Sequence, residues 1–380
     1  MPASILHVVA TRPNFMKVAP IVRAVERSTS VKQVLVHTGQ HYDEALSRYF
    51  FEDLALPKPD LNLGVGSGSH GILTGRVMIT LQPVMERHRP DWVVVVGSTD
   101  SALAAALVAA KLGIRIAHVE AGLRSRNWAM PEEINRVLTD RLSDALFTTE
   151  PSARENLRRE GIDEKRIHFT GNVIIDTLDR FRPRAARLRV HRRLGLDRRR
   201  YVLATLHRPR NVDDPVRLAA ILRALPQVEY ECDCPVVFPL HPRTARSIKQ
   251  HGLDAELNGI QVLEPLRYLE FLSLMDDAGA VLTDSGGIQE ETTVLGVPCV
   301  TLRPDTERPI TLTHGTNRLF DGNLNELADV VGEAFREPRL PCRPELWDGK
   351  AADRIADVLL GQLATVSLQP EKEKVVALSR

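Results

Sequence analysis

The sequence has almost no net charge and no long apolar stretch. Its 380 residues carry 50 basic and 49 acidic side chains, which gives a formal net charge of +1. A chain this balanced has no broad positive field for nucleic acid or an anionic membrane surface, so any anionic ligand must be held by local groups. No run approaches the roughly 20 apolar residues of a membrane-spanning helix. We expect no nucleic-acid partner, no membrane insertion and a cytoplasmic location.

Cysteines and aromatic residues are also scarce. The 4 cysteines are irregularly spaced, which argues against a disulfide framework or a four-ligand zinc site. Aromatic residues make up only 5% of the chain. The basic segment at 180–200 contains almost none that could stack on bases, so we interpret it as a solvated helix near a domain junction rather than a nucleic-acid patch. We predict no metal site.

Short β-branched apolar runs that alternate with longer helical stretches occupy most of the chain. Continuous apolar strands separated by helices indicate parallel sheets covered on both faces, and two such series predict an α/β fold of two Rossmann-like, doubly wound halves. The predicted strands lie at 5–10, 33–37, 92–97, 114–120 and 145–150 in the first series, and at 201–207, 235–241, 260–265, 279–285 and 298–303 in the second.

Polar residues follow most of these strands. Ligands of open parallel sheets bind outside the carboxyl ends of the strands, so residues just after each strand are the candidates for a site. Both halves supply such residues, which predicts one interdomain cleft. A glycine-rich stretch at 63–71 faintly echoes a dinucleotide fingerprint, but we interpret it as a mobile loop because no predicted strand precedes it.

The segment LTDSGGIQEE (282–291) predicts a phosphate site. A strand ends, Gly286 and Gly287 allow close backbone approach, and a helix opens behind them with its amide groups and dipole facing outward. Ser285 adds a hydroxyl donor, and Glu291 is placed to accept from a ribose diol. The alternative is that the two glycines only form a tight turn and that the acidic residues lie on the surface of the helix without binding a ligand.

Two further groups of charged residues are candidates for the same cleft. The guanidinium of Arg308 suits a diphosphate, although an internal pair with Glu307 is the competing interpretation. Glu120 ends an apolar strand beside a glycine, which favours a functional carboxylate over a structural one. Glu133 and Arg136 are three apart on a predicted helix, which favours a structural pair.

Eight motifs together resemble the UDP-N-acetylglucosamine 2-epimerase family over about residues 5–360. They are TRPNFMK (11–17), TGQHYD (38–43), HVEAGLRS (118–125), MPEEINR (130–136), GNVIID (171–176), LHRPRNVD (206–213), LTDSGGIQEETTVLGVPC (282–299) and TERP (306–309).

The resemblance implies a glycosyltransferase-B arrangement and a homodimer. The first domain, at 1–173, would carry the sugar and the catalytic acids, and the second, at 174–349, would bind UDP. A last helix at about 350–365 would pack back on the first domain, and 366–380 would form a flexible tail.

The implied reaction interconverts UDP-N-acetylglucosamine and UDP-N-acetylmannosamine, through elimination of UDP to a 2-acetamidoglucal and its re-addition, with no cofactor. Such an enzyme would supply sugars for surface polysaccharide or related glycoconjugates. A hydrolysing branch of the family instead releases free N-acetylmannosamine and UDP.

The residues carried over from the motifs and from the strand ends form two sets. The predicted catalytic set is Glu120, Glu132, His207, Asp100 and Ser98. The predicted UDP-sugar-binding set is Arg12, Arg136, His241, Ser285, Gly286, Gly287, Glu291 and Arg308.

Ser98 departs from the family pattern, which has an aspartate directly after the glycine that ends the valine strand. Serine cannot act as a carboxylate acid or base. Asp100 could reach the same cavity if the loop turns back, since residues i and i+2 of an extended stretch share one face. Three hypotheses follow: an active 2-epimerase, a divergent or hydrolysing nucleotide-sugar enzyme, and a non-catalytic UDP-sugar-binding protein.

Overall fold

Two parallel sheets form the centre of the fold. This computed structural model describes residues 3–28, 30–40 and 58–367. The strands of the first sheet are β1 (Ala3–Val9), β2 (Val31–His37), β3 (Leu61–Asn62), β4 (Trp92–Val96), β5 (Arg115–Val119), β6 (Ala145–Thr148) and β7 (Ile167–Phe169). Their spatial order is β3-β2-β1-β4-β5-β6-β7, so the winding direction reverses between β1 and β4.

The second sheet repeats this winding. Its strands are β8 (Val202–Thr205), β9 (Val236–Pro239), β10 (Gln261–Leu263), β11 (Ala280–Thr283), β12 (Cys299–Thr301) and β13 (Asn317–Leu319). Their order is β10-β9-β8-β11-β12-β13, with the reversal between β8 and β11. Both sheets therefore have the doubly wound order of a dinucleotide-binding fold, and the predicted fold class is confirmed.

Helices connect the strands and cover both faces of each sheet. Those of the first half are α1 (Arg12–Glu26), α2 (His70–His88), α3 (Asp100–Lys111), α4 (Pro131–Leu142) and α5 (Pro151–Arg159). The remaining ones are α6 (Val173–Leu188), α7 (Val190–Arg193), α8 (Pro209–Val212), α9 (Pro215–Cys232), α10 (Pro242–His251), α11 (Tyr268–Asp277), α12 (Gly286–Leu295), α13 (Ile310–Thr313), α14 (Leu327–Arg336) and α15 (Ala351–Ser367). Among the described helices, none is both long and apolar enough to cross a bilayer.

The central strand β4 shows why the sequence forms a sheet covered on two faces. All five of its residues, WVVVV, are buried. β-branched side chains fit a pleated surface, and helices on both sides remove every one of them from water. The alanine-rich helix α3 follows directly; Thr99 caps it by accepting a hydrogen bond from the Ala102 amide at 3.2 Å. Strand β4 therefore ends, and α3 begins, within a few residues of Ser98.

Helices α6 and α15 join the two halves. Helix α6 packs on α1 in the first half and on α11 and α12 in the second, and α15 returns to pack on α1. The carboxylate of Asp176 accepts hydrogen bonds from the amides of Ala351 and Ala352 at 3.1 and 2.7 Å, which fixes the start of α15 against α6. The division at 173 and 174 stays a prediction. The predicted tail at 366–380 lies outside the described residues from position 368 onward.

Three short strands were absent from the predicted set: β3, β7 and β13. Each has only two or three residues, too few for an alternating pattern to appear. No strand was predicted before the glycine-rich stretch at 63–71, but β3 precedes it directly. Residues 63–69 form a loop, and α2 begins at His70.

Candidate active site

Ion pairs connect the carboxyl ends of the two sheets across one cleft. In each pair one partner belongs to the first half and the other to the second. The pairs are Glu120 with Arg308 at 3.7 Å, Arg136 with Glu307 at 3.5 Å, and Glu132 with Arg208 at 3.8 Å. The predicted interdomain convergence of polar residues is therefore present in the fold.

Glu120 is held in an unusual backbone conformation at the end of β5. Its φ of 68° lies in the left-handed region, which costs energy for a residue with a side chain. The side chain is almost completely buried and forms an ion pair with Lys17, which reaches it from α1. Burial opposes ionisation, but Lys17 and Arg308 outweigh it and hold the pKa of Glu120 below its ordinary value. Glu120 is therefore a charged, fixed carboxylate.

Arg308 is the main cation of the second half. Its guanidinium contacts Glu290 at 2.9 Å and also pairs with Glu307. Although burial works against the charge, Glu290 and Glu307 raise the pKa of Arg308, so it stays protonated. The ion pair between Arg308 and Glu307, considered from the sequence as an alternative, is present.

The glycines before α12 make room for this arginine. A Cβ atom on Gly286 would lie 2.7 Å from Nη1 of Arg308, whereas one on Gly287 would meet nothing closer than 3.8 Å. Ser285 is the N-cap residue of α12 and its hydroxyl makes no capping bond. The first amide groups of a helix have no intrahelical partner, so Arg308, the Ser285 hydroxyl and these amides together can bind an anion.

His207 is oriented by Asp284, a fully buried carboxylate at the end of β11. Nδ1 of His207 lies 2.8 Å from Oδ1 of Asp284. The same carboxylate accepts from the amide of His207 at Oδ1 and from the amide of Arg208 at Oδ2. Burial raises the pKa of Asp284, but the His207 bond and the other donors more than offset this and lower it. The His207 and His241 rings lie 5.5 Å apart, and His241 caps α10 by accepting from the Arg243 amide at 3.2 Å.

Glu291 lies one turn into α12 and is buried. The hydroxyl of Tyr268 donates to its carboxyl group at 3.0 Å. Burial raises the pKa of Glu291 to about 7. A carboxyl group in this state can act as donor or acceptor near neutral pH.

Helix α4 contributes Glu132, Glu133 and Arg136. Glu132 is about 40% exposed at the cleft. Glu133 accepts from the amides of Ser125 and Arg126 at 3.0 and 2.8 Å and pairs with Arg136 at 2.6 Å. The predicted structural pair at positions 133 and 136 is therefore present, and Glu133 also shapes the loop that follows Glu120.

Residues 97–99 lie between β4 and α3, and Gly97 among them is next to Glu120. Gly97 has a φ of 68°, and a Cβ atom placed on it would be 3.2 Å from Oε2 of Glu120. Asp100 is the first residue of α3, and its predicted role in place of Ser98 stays a prediction. The carboxylate of Asp100 is bound by Asn135 at 3.0 Å and by His70 at 2.8 Å.

Comparison with known proteins decides the family. A family model described as UDP-N-acetylglucosamine 2-epimerase matches residues 23–360. The chain belongs to the UDP-N-acetylglucosamine 2-epimerase family. A member from Methanocaldococcus jannaschii is 43% identical over 358 residues, which are 93% of this chain and 97% of the relative. The resemblance inferred from the motifs is confirmed, and relatives that bear this name are isomerases.

Solved structures confirm the glycosyltransferase-B fold of this 2-epimerase family member. The M. jannaschii UDP-GlcNAc 2-epimerase in complex with UDP-GlcNAc and UDP superposes with a TM-score of 0.89 at 42% identity, covering 94% of this chain and 99% of that one. The Neisseria meningitidis enzyme bound to UDP-GlcNAc gives a TM-score of 0.84 at 28% identity, covering 94% of this chain and all of that one.

A relative with a different name is nearly as similar. A UDP-2,3-diacetamido-2,3-dideoxy-D-glucuronate 2-epimerase from Pseudomonas aeruginosa is 41% identical over 358 residues, which are 93% of this chain and 99% of the relative. Overall identity therefore does not separate these two sugars for this 2-epimerase family member.

Lys17 and Asp284 are absent from the predicted sets, and the side chain of one predicted residue lies outside the described part of the structure. Lys17 pairs with Glu120, and its signal was a lone cation inside the apolar run FMKVA of α1. Asp284 orients His207, and its signal was an acid at the end of a buried strand. The side chain of Arg12 lies outside the described residues, so its predicted contact with UDP stays a prediction.

Proposed function

We propose that this chain interconverts UDP-N-acetylglucosamine and UDP-N-acetylmannosamine. In the elimination a base takes the proton from C2 of the sugar, the C2–H electron pair becomes the C1–C2 double bond, and UDP leaves with the C1–O pair. Re-addition of UDP to C1 and of a proton to C2 yields either epimer. An enzyme of this kind places a proton-transfer group next to a diphosphate site, because the reacting C2–H and C1–O bonds are on adjacent carbons.

The observation that carries the proposal is the pair formed by Glu120 and Arg308. A charged carboxylate of the first half lies 3.7 Å from the guanidinium that packs on Gly286 of the second half. A diphosphate bound at Gly286 would therefore hold C1 and C2 of its sugar within a few ångströms of Glu120. Neither group alone would favour elimination over simple UDP binding.

The diphosphate would be held by the start of α12 and by Arg308. Amide groups of Gly286 and Gly287 and the Ser285 hydroxyl would donate to its oxygens, and the guanidinium would pair with it bidentately. Arg308 would exchange part of its bonding to Glu290 and Glu307 for the more strongly charged ligand. This exchange couples ligand binding to the ion pairs that join the two halves.

His207 and Glu291 would act on the nucleotide. Asp284 holds Nδ1 of His207, and when the ring also carries a proton on Nε2, that nitrogen would donate to the leaving diphosphate and favour departure of UDP. Glu291 would accept from the ribose hydroxyls, and His241 and Arg136 would complete the binding surface around them. Glu132, at the rim of the cleft, would serve as a second proton-transfer carboxylate.

A second substrate is a specific alternative. The 41% identity to the P. aeruginosa UDP-diacetamidoglucuronate epimerase supports the same chemistry on a sugar with a carboxylate. Elimination and re-addition at C1 and C2 need the same groups for either sugar. The difference would lie in cations that contact the sugar carboxylate.

Proton NMR in D₂O tests the reaction and separates these outcomes. The protein is incubated in parallel with UDP-N-acetylglucosamine and with UDP-2,3-diacetamidoglucuronate. Deuterium at C2 together with the second epimer supports the proposal and identifies the sugar. Free N-acetylmannosamine with UDP would indicate hydrolysis, and binding with neither exchange nor product would leave a UDP-sugar-binding protein and refute the proposed reaction.

We also propose a cytoplasmic homodimer that supplies sugars for surface polysaccharide. The family resemblance supports this, and so does helix α2, whose Ile72 and Ile79 are 54% and 76% exposed on one face seven residues apart. Light scattering coupled to gel filtration measures the mass. A monomer at micromolar concentration, or a dimer that the Ile79→Glu variant leaves intact, would count against a dimer through this face.

A further inference from the structure

We propose that His70 is a proton-transfer residue of this active site and that Asp100 is its positioning residue. The proposal rests on the proposed epimerase function and names the group that does the work for which Ser98 is unsuited. Three observations support it: the bond between the two residues, the contrast in their exposure, and the contacts that lead from the pair through Asn135 and the Gly97–Ser98 turn toward Glu120.

The pair combines a buried carboxylate with an exposed imidazole. Nδ1 of His70 lies 2.8 Å from Oδ2 of Asp100. The Asp100 side chain is 7% exposed, whereas that of His70 is 67% exposed. The other carboxylate oxygen accepts from Nδ2 of Asn135 at 3.0 Å. Asp100 thus has a partner on each oxygen, and the group that it presents to solvent is the imidazole ring.

The hydrogen bond fixes the tautomer of His70. A carboxylate only accepts, so the proton of a neutral His70 ring resides on Nδ1. The lone pair is then on Nε2, at the end of the ring turned away from Asp100. A carboxylate that orients a histidine in this way is the arrangement used by general bases in hydrolases.

A continuous set of contacts links this pair to Glu120. Asn135, which binds Asp100, also donates to the carbonyl oxygen of Ser98 at 3.0 Å. Ser98 follows Gly97, whose Cβ position would lie 3.2 Å from Glu120. These residues lie at the carboxyl end of β4, where the winding of the first sheet reverses and where ligands of such sheets bind.

The loop before His70 is held against the end of β2, because the amides of Val65 and Gly66 donate to the carbonyl oxygens of Thr38 and Gly39 at 3.0 and 3.1 Å. Residues 63–69, which precede His70, form neither helix nor strand, and Gly64 and Gly66 have φ of 60° and 69°. His70 itself is the first residue of α2, so the start of this helix sets its backbone position.

The step is a proton transfer at C2. Nε2 of neutral His70 takes the C2 proton as the C1–O bond to UDP breaks, and the ring becomes an imidazolium paired with Asp100. In the opposite direction the imidazolium returns a proton to C2 of the 2-acetamidoglucal while UDP adds to C1. Glu120 serves the other face of C2. Solvent exposure of His70 lets its proton exchange with water between the two halves of the reaction.

Variants of His70 test the proposal in the full-length protein. His70→Gln keeps a donor for Asp100 but cannot transfer a proton, and we expect kcat to fall about 10²- to 10⁴-fold while the Kd for UDP changes less than threefold. His88→Gln, at the opposite end of α2, is the matched control and should keep the wild-type rate. Added imidazole should restore part of the C2 deuterium exchange to His70→Ala.

A second substitution tests the relation to Ser98. Ser98→Asp in the His70→Gln background restores a carboxylate beside Glu120, and we expect it to recover at least tenfold of the lost rate. Wild-type kcat in His70→Gln would overturn the proposal. So would a loss of rate with neither imidazole rescue nor Ser98→Asp rescue, since a structural role would explain that result. Absence of turnover by the wild-type protein on both sugars would instead refute the proposed function, and the role of His70 with it.

Discussion

Nε2 of His118 lies 3.0 Å from the carbonyl oxygen of Gly97, directly beneath the turn that carries Ser98. On the other side of the ring, Nδ1 lies 2.6 Å from Oδ1 of Asp140. The ring of His118 thus bridges Asp140 and the Gly97 carbonyl, and it supports the Gly97 turn from inside the core.

Removing this support should destabilise the fold. We expect His118→Phe to lower the free energy of unfolding by about 3 kcal/mol, because Asp140 and the Gly97 carbonyl would be left buried with fewer donors. Urea denaturation followed by circular dichroism measures this. His251→Phe at the end of α10 is the control and should cost less than about 1 kcal/mol. Equal losses in the two variants would contradict the role given to His118.

Lys17 should control the ionisation of Glu120. Burial raises the pKa of Glu120, and Lys17 and Arg308 more than compensate, so the net pKa is lowered. Lys17→Met removes one of the two cations, and the pKa of Glu120 should rise. The acidic limb of the pH–rate profile for kcat/KM should then move to higher pH, and kcat at neutral pH should fall at least tenfold.

Two variants separate charge from packing at this position. Lys17→Arg keeps the cation and should preserve the position of the acidic limb even if its longer side chain lowers the rate. Lys111→Met, at the end of α3, changes the net charge by the same amount far from Glu120. A limb that stays in place in Lys17→Met would show that Lys17 does not set the charge of Glu120.

The buried carboxyl group of Glu291 should make stability depend on pH. Burial raises its folded-state pKa from 4.5 to about 7, so the unfolded chain releases this proton first and the group destabilises the fold as pH rises through that window. Above pH 7 the cost levels off, at most about 3 kcal/mol. Glu291→Gln should therefore be more stable than the wild type at pH 8, and equally stable at pH 4.

The same substitution should weaken binding of UDP. An amide in place of the carboxyl group loses the charged acceptor proposed for the ribose hydroxyls, so we expect at least a tenfold higher Kd by calorimetry at pH 8. Glu326→Gln on the surface is the control for both measurements. Glu291→Gln that binds UDP as the wild type does, or that gains no stability at pH 8, would remove the corresponding half of this prediction.

The sequence was informative where a function depends on neighbouring residues in the chain. Glycines 286 and 287 after an apolar run predicted the strand-to-helix turn that the structure has, and the end of an apolar strand predicted the place of Glu120 at the cleft. Lys17 was missed because its partner is 103 residues away, and nothing in its own segment indicates that partner. The partners of Asp100, Asn135 and His70, are 35 and 30 residues away in the chain, so its own segment does not indicate them.

Gly286 offers a direct test of the diphosphate site, because the guanidinium of Arg308 occupies the space that a side chain at this position would need. In Gly286→Ala the new Cβ would lie 2.7 Å from Nη1 of Arg308 and 3.1 Å from Oε1 of Glu307, so the guanidinium must move. We expect the Kd for UDP to rise at least tenfold, and kcat to fall because Arg308 also neutralises Glu120.

Gly75→Ala is the matched control for Gly286→Ala. Gly75 lies within α2, and a Cβ atom there meets nothing within 4 Å, so alanine should stabilise the helix by about 0.5–1 kcal/mol. Calorimetric titration with UDP measures both variants, and unchanged affinity in Gly286→Ala would place the diphosphate away from Arg308.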